Sequence, residues 1–273
     1  MNQTITYQNY RINFRKEGSG ELLVFLHGWP TNSRLWQAQV ERLKTDFTTI
    51  TPDWLGFGQS DKPTDHHYTF TKKKEILDAL LSNQMSDNDK VTLVAHDIGG
   101  PPAILWASEN EARIKRLILL NTVIYPFKTK LDRLSHVLFN IPVIKNIMVS
   151  QFSLGNIMKM NTRSGDKAIG KKIQAILADC QNIKPEIKLK TILEPLDEGG
   201  KNELLSLSEK FSKLNIKKYL IIAKGDPLCY EHIKKLSMEN PSVPAFYIEN
   251  CGHYIPIDQP YALNGILRKI LKE

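Results

Sequence analysis

The sequence predicts an α/β protein with a mostly parallel eight-stranded sheet, helices on both faces and an inserted helical cap. Over residues 1–122, short apolar runs rich in β-branched residues alternate with stretches of helical spacing. Residues 123–214 keep the helical spacing but contain no convincing strand, and the alternation resumes over residues 215–273. These observations predict an α/β core in two parts, 1–122 and 215–273, interrupted by a helical cap over 123–214.

The strands are predicted from continuous apolar runs, which are typical of strands buried on both faces of a parallel sheet. Two shorter alternating runs around a turn at Gln8 and Asn9 precede them. The predicted strands cover residues 5–7, 10–14, 22–26, 47–52, 91–96, 114–120, 219–223 and 245–248. Helical spacing predicts helices from Ser33, over 70–81, 98–107 and 260–271, and after Pro227.

Composition bounds the class of protein. The 273 residues suit one large domain or a core with an insertion. The formal net charge is +8, but the lysines are spread along the chain, which predicts a solvated surface and no nucleic-acid partner. No apolar run approaches the roughly 20 residues that span a bilayer. Three cysteines without a C-x-x-C pair, and a start without a signal-peptide pattern, predict a cytoplasmic protein that does not bind a membrane.

The turn after the fifth predicted strand carries the clearest chemical signal. The run 91–96 ends in His96 and Asp97, and Gly99 and Gly100 follow before a predicted helix. Strand, sharp turn and helix form the context of the nucleophile elbow, G-x-S-x-G. Asp97 therefore occupies the position of the nucleophile.

Other polar residues follow the carboxyl ends of predicted strands, where ligands of open parallel sheets bind. His27 and Gly28 follow the third strand, Asp226 the seventh and His253 the eighth. Asp97, Asp226 and His253 thus come in the chain order nucleophile, acid, histidine. We expect these three side chains to meet at one edge of the sheet.

On these motifs the chain resembles the α/β-hydrolase superfamily, in the branch of haloalkane dehalogenases and epoxide hydrolases. The resemblance rests on most of the core, namely on residues 27–30, 52–63, 96–100, 119–122, Asp226 and 252–254. It implies an α/β-hydrolase fold and an enzyme without metal or organic cofactor. The implied partners are a small apolar substrate and water.

The three residues have distinct expected roles. A carboxylate with a reference pKa of about 3.9 is ionised at neutral pH, so Asp97 attacks without a base. His253 then activates water to hydrolyse the aspartyl ester, and Asp226 orients His253. The backbone N–H groups of Trp29 and Ile98 are the expected oxyanion hole.

The residues do not select one leaving group for the substrate. Attack of a carboxylate on saturated carbon gives a stable ester, and halides, epoxides and strained lactones are such electrophiles. Ile98 stands where family dehalogenases usually have the halide-binding Trp, and the segment 123–214 has no Trp. The candidates for assisting the leaving group or lining the pocket are Trp29, Tyr125 and His136.

Two alternatives remain. An ester or C–C bond hydrolase would prefer serine at position 97. A non-catalytic ligand-binding homologue, like some hormone receptors of the superfamily, would not need the complete set of Asp97, Asp226 and His253. His27, His96, Asp53 and Ser60 are expected to support loops. The sequence does not predict the oligomeric state.

Overall fold

A single eight-stranded sheet forms the centre of the protein in the computed structural model, which describes residues 2–126, 147, 149–163, 165–180 and 183–273. The strand order in the sheet is β1-β2-β4-β3-β5-β6-β7-β8. The strands are β1 (Asn2–Tyr7), β2 (Tyr10–Glu17), β3 (Glu21–Leu26), β4 (Phe47–Pro52), β5 (Val91–Asp97), β6 (Ile114–Thr122), β7 (Lys217–Ala223) and β8 (Ala245–Ile248).

All pairs from β4 to β8 are parallel, and β2 pairs antiparallel with β1 and β4. This confirms the predicted mostly parallel sheet. The register sets Leu26 opposite Ala95 and Asp97 opposite Thr122. The carboxyl ends of β3, β5 and β6 therefore coincide, and the loops that follow them meet at one edge.

The helices flank this sheet. Numbered over the described residues, they are α1 (Gln37–Leu43), α2 (Phe70–Gln84), α3 (Gly100–Glu109), α4 (Gln151–Met160), α5 (Ile169–Leu177), α6 (Pro185–Leu193), α7 (Glu198–Leu205), α8 (Leu207–Lys213), α9 (Tyr230–Glu239), α10 (Ile255–Asp258) and α11 (Pro260–Lys272). Between β6 and β7 the described residues form helices α4 to α8 and no strand. The helical character predicted there is seen, while a separate cap domain stays a prediction. His136 lies outside the described residues.

Strand β5 runs through the middle of the core. Every residue from Val91 to Asp97 is buried, because β3 and β6 flank the strand and helices cover the sheet. Burial of each large aliphatic side chain contributes about 1.5–3 kcal/mol, so the strand that carries the elbow has a rigid support. No helix within the described ranges is both long and apolar enough to cross a membrane.

Two carboxylates connect the helices after β6 to the start of α2 and to the residue before its N-cap. Glu203 of α7 accepts hydrogen bonds from the N–H groups of Phe70 and Thr71, at 3.0 and 3.2 Å. Glu194 accepts one from the N–H of Tyr68 at 2.7 Å. Carboxylates at a helix N-terminus satisfy otherwise unpaired N–H groups and complement the helix dipole. We call Glu194 and Glu203 the α2 anchor.

Candidate active site

Asp97 occupies a sharp turn between β5 and α3. Its backbone φ is 54°, in the left-handed region that few residues other than glycine adopt, although Asp and Asn tolerate it. The N–H of Gly99 donates to the carbonyl of His96 at 2.9 Å and closes the turn. The chain therefore leaves the strand abruptly at Asp97, as the elbow motif predicts.

Two glycines allow the close contacts around this turn. A Cβ atom on Gly28 would lie 2.3 Å from both Cβ and Oδ1 of Asp97. A Cβ on Gly100 would lie 1.9 Å from Oγ1 of Thr122, whose hydroxyl donates to the carbonyl of Asp97. Neither position has room for a larger residue.

The two oxygens of the Asp97 carboxylate have different neighbours. Oδ1 accepts a hydrogen bond from the backbone N–H of Trp29 at 2.7 Å. Oδ2 lies 3.6 Å from Nε2 of His253 and 3.9 Å from Sγ of Cys229. One oxygen is thus held by the backbone, and the other faces the histidine.

His253 and Asp226 form a buried hydrogen-bonded pair, 2.9 Å apart between Nδ1 and Oδ2. Asp226 also accepts from Asn121 Nδ2 at 2.6 Å and from the Leu228 N–H at 2.7 Å. Burial acts to raise the pKa of Asp226, but the charge of His253 and these hydrogen bonds outweigh it and lower the pKa to about 2. The carboxylate is therefore ionised at neutral pH.

The same pair raises the pKa of His253 above its ordinary value of 6.5. Burial acts to lower this pKa, but the negative charge of Asp226 and its hydrogen bond, aided by Asp97, outweigh burial. The bond to Asp226 assigns the proton to Nδ1 in the neutral ring. Nε2 is buried and has no hydrogen-bond partner among the described residues, so its lone pair is available as a base.

Neighbouring backbone fixes the position of His253. Its N–H donates to the carbonyl of Asn161 at 2.7 Å, just after α4. His96 places Nε2 2.8 Å from the carbonyl of His253, and the two rings lie 4.6 Å apart. Burial, together with the charge of His253, lowers the pKa of His96 to about 4. His96 is therefore neutral and adds no second cation beside the base.

The remaining loop residues interact with backbone groups. His27 is fully buried, with Nδ1 2.9 Å from the Gly28 carbonyl and Nε2 accepting from the Trp54 N–H at 3.1 Å. Asp53 accepts hydrogen bonds from the N–H groups of Ser33 and Gln59 at 2.8 and 2.9 Å. These contacts fit the supporting roles expected for the loops after β3 and β4.

The two described candidates for leaving-group assistance have other partners. The indole N–H of Trp29 donates to the backbone carbonyl of Lys188 at 3.3 Å. The hydroxyl of Tyr125 donates to the Glu239 carboxylate, and Nζ of Lys235 lies 3.8 Å from the centre of its ring. Among the described candidates, only the backbone N–H of Trp29 is thus seen on the Asp97 carboxylate.

Two residues whose side chains contact this site were not predicted. Asn121 lies at the carboxyl end of β6, at the same edge of the sheet, and donates to Asp226, so its place at the end of a strand was a usable signal. Cys229 lies in the loop after Asp226, where no periodic pattern indicates its position. Its Sγ, with donor atoms of Asp226 and His253, belongs to a group of possible metal ligands within 4.8 Å of one another. Two of these residues, His253 and Asp226, are hydrogen-bonded to each other.

Comparison with known proteins agrees with this architecture. Residues 21–142 match the sequence model of the family described as the α/β hydrolase fold. Over 114 residues the chain is 40% identical to the cis-3-alkyl-4-alkyloxetan-2-one decarboxylase of Shewanella oneidensis, a match covering 41% of this chain and 36% of that protein. Over 117 residues it is 35% identical to the soluble epoxide hydrolase of a Corynebacterium species, covering 42% and 39%. The matched segment thus spans well under half the length of either relative.

Solved structures align over nearly the whole chain. The haloalkane dehalogenase DatA of Agrobacterium tumefaciens has a TM-score of 0.82 at 22% identity, covering 100% of this chain and 96% of that one. The epoxide hydrolase CorEH has a TM-score of 0.75 at 20% identity, covering 98% and 97%. The chain has the α/β-hydrolase fold. The resemblance to the branch of haloalkane dehalogenases and epoxide hydrolases, seen first in the sequence motifs, is confirmed.

Proposed function

We propose that this protein is a hydrolase that attacks a small, mostly apolar substrate with Asp97 and then hydrolyses the resulting alkyl-aspartyl ester. One observation carries the proposal. The Asp97 carboxylate has Oδ1 on the Trp29 N–H at 2.7 Å, while Oδ2 faces a histidine already paired with Asp226. This arrangement supports a nucleophile that needs no base and a base that is free for a later step.

In the first step, Oδ2 of Asp97 attacks a saturated carbon. The bond from that carbon to the leaving group breaks, and the leaving group departs with the electron pair. Oδ1 becomes the carbonyl oxygen of the ester and keeps its hydrogen bond to Trp29. Backbone N–H donors stabilise negative charge on this oxygen more strongly in a buried site than in water.

In the second step, Nε2 of His253 takes a proton from water and the hydroxide adds to Cγ of Asp97. Charge develops on Oδ1, where the N–H of Trp29 and, in this proposal, that of Ile98 stabilise it. The Cγ–Oδ2 bond then breaks, and Oδ2 gains a proton and leaves with the product as its alcohol oxygen. His253 gives up the proton that it took from water, so the protons balance. Asp226 stabilises the imidazolium form of His253 throughout.

The environment of the site favours one of the three candidate classes of electrophilic substrate. A halide needs N–H donors and an epoxide needs an acid, but Trp29 and Tyr125 direct their side-chain donors to Lys188 and Glu239. A strained lactone opened at its saturated carbon releases a carboxylate, which needs neither. The Shewanella relative is named for such a four-membered lactone. We propose strained lactones as the leading substrate class, with haloalkanes and epoxides as alternatives.

The covalent intermediate is the direct test. A His253→Gln variant is incubated with β-butyrolactone, bromohexane or styrene oxide and analysed by intact and peptide mass spectrometry. We expect at least one compound to add its mass to the peptide that contains Asp97. The double variant Asp97→Asn, His253→Gln is the matched control and should stay unlabelled.

Absence of any adduct across the three compounds would contradict the covalent mechanism. An ester or C–C bond hydrolase would instead turn over acyl substrates without labelling Asp97. Wild-type turnover of a labelling compound would exclude a purely ligand-binding protein.

A further inference from the structure

Cys229 is the cysteine that lies against the proposed nucleophile. Its Sγ is 3.9 Å from Oδ2 of Asp97, within hydrogen-bond range for sulfur, and the side chain is 1% exposed. The other two cysteines are also buried, but the thiol of Cys180 faces the carbonyl of Pro30. The thiol of Cys251 lies against the carbonyl of Gly252 and the carboxylate of Asp258. Of the three thiols, that of Cys229 is thus the one seen on the Asp97 carboxylate.

A second group approaches the same oxygen. Nε2 of His253 lies 3.6 Å from Oδ2, is fully buried, and has no hydrogen-bond partner among the described residues. Oδ2 thus has two neighbours, the imidazole Nε2 of His253 and the thiol of Cys229. Oδ1, by contrast, is held by the Trp29 N–H.

Under the proposed function, on which this inference rests, Oδ2 is the oxygen that leaves with the product. It departs as an alkoxide when the Cγ–Oδ2 bond breaks. An alkoxide is a much stronger base than a thiolate, whose conjugate acid has an ordinary pKa of about 8.5. A hydrogen-bond donor at this oxygen therefore lowers the barrier to ester cleavage.

We propose that Cys229 is a catalytic residue that donates its thiol proton to the departing oxygen of the Asp97 ester. Water first gives a proton to His253 and hydroxide to Cγ. The electron pair of the Cγ–Oδ2 bond moves to Oδ2, which takes the proton from sulfur. The thiolate then takes the proton from His253, and Asp97 returns as the acid and ionises to solvent. Ester and water thus give alcohol and carboxylic acid, with no other reactant.

The surroundings keep the thiol in its donor form. Burial raises the pKa of Cys229 well above its ordinary value, and the negative charges of Asp97 and Asp226 raise it further. A protonated thiol is a poor nucleophile, so it does not compete with Asp97 in the first step. Cys229 is therefore the proton donor, and Asp97 is the nucleophile.

Rapid-quench mass spectrometry on Cys229 variants tests this role, with the compound that labels His253→Gln as the probe. In Cys229→Ala we expect ester cleavage to slow about 10²-fold, the lower end of general acid catalysis. Formation of the ester should be little changed, so the Asp97 ester accumulates during turnover. Cys229→Ser keeps an O–H donor and should retain most of the cleavage rate. Cys180→Ala is the matched buried cysteine and should behave as wild type.

Two outcomes overturn the inference. One is an unchanged ester fraction in Cys229→Ala, and the other is equal slowing in the Ala and Ser variants, which would indicate packing and not proton donation. Labelling of His253→Gln without an effect of Cys229→Ala removes only this inference. If His253→Gln takes no label from any of the three compounds, the proposed function and this inference fall together.

Discussion

At the scale of single residues, the His253–Asp226 pair decides the charge state of the candidate site. Asp226 has its pKa lowered to about 2, so it is charged throughout the neutral range, and this charge raises the pKa of His253. The proposed base works only in its neutral form, since a protonated Nε2 cannot accept a proton from water. Ester cleavage should therefore depend on pH through His253.

We expect the rate of ester cleavage to rise with pH, with a midpoint above 6.5, the ordinary pKa of histidine. In Asp226→Asn the attraction that favours the cation is lost, so the midpoint should move down and the maximal rate should fall. The pH dependence of single-turnover cleavage measures both effects. A midpoint that does not move in Asp226→Asn would contradict the role given to Asp226.

Asp97→Asn removes the proposed nucleophile but keeps the shape of the side chain. Turnover should fall about 10³-fold or more, as for loss of a triad member. Stability should change by less than about 1 kcal/mol, because asparagine also tolerates a positive φ. Turnover and urea denaturation are measured together. Retained turnover in a folded variant would rule out Asp97 as the nucleophile.

The sequence predicted the residues that follow strands, and Asp97, Asp226 and His253 do lie together. This was possible because parallel strands bring their carboxyl ends to one edge of the sheet. Cys229 and Asn161 could not be predicted in the same way. Their positions depend on the path of loops, which leaves no hydrophobic period in the sequence.

At the scale of elements, the boundaries were harder to predict than the elements. Strand β2 was expected over 10–14 but continues to Glu17. Residues Arg15 to Glu17 are polar and break the apolar pattern, yet they pair with Thr49 to Thr51 of β4. Ladder hydrogen bonds to a neighbour, supplied only by the tertiary fold, extend this strand.

The turn from β5 into α3 depends on a glycine that has no space for a side chain. A Cβ on Gly100 would overlap the Thr122 hydroxyl, whereas a Cβ on Gly265 in α11 meets no atom within 4 Å. We expect Gly100→Ala to destabilise the protein by about 1–3 kcal/mol and to reduce turnover by displacing Asp97. Gly265→Ala should be neutral or stabilising by up to about 1 kcal/mol. Equal midpoints of urea denaturation for the two variants would contradict the expectation that the turn requires glycine at position 100.

At the scale of the whole molecule, the α2 anchor connects the helices after β6 to the core. It also lies near Lys73, whose side chain is 2% exposed. Burial lowers the pKa of Lys73 to about 7, and the charges of Glu203 and Glu194 oppose this effect. The anchor thus satisfies backbone N–H groups and partly compensates a buried cation.

Glu203→Ala should cost about 1–2 kcal/mol, since it leaves N–H groups of α2 without their acceptor. Glu209→Ala is the matched control, because Glu209 forms an exposed pair with Lys213 whose attraction is screened by solvent and adds little to stability. Urea denaturation of the two variants gives the comparison. If Glu203→Ala lowers the free energy of unfolding no more than Glu209→Ala does, the α2 anchor does not stabilise the protein.

The hydrogen bond from the N–H of His253 to the carbonyl of Asn161 joins the loop after β8 to the backbone that follows α4. A Cβ on Gly252 would lie 2.2 Å from that same carbonyl, so the two backbones touch there. The loop that carries His253 is therefore shaped against the backbone that follows α4. A chimera that takes the helices between β6 and β7 from another protein must bring a backbone carbonyl to this point, or His253 will lose the contact that positions it beside Asp97. Exchange of these helices is therefore constrained by the position of His253.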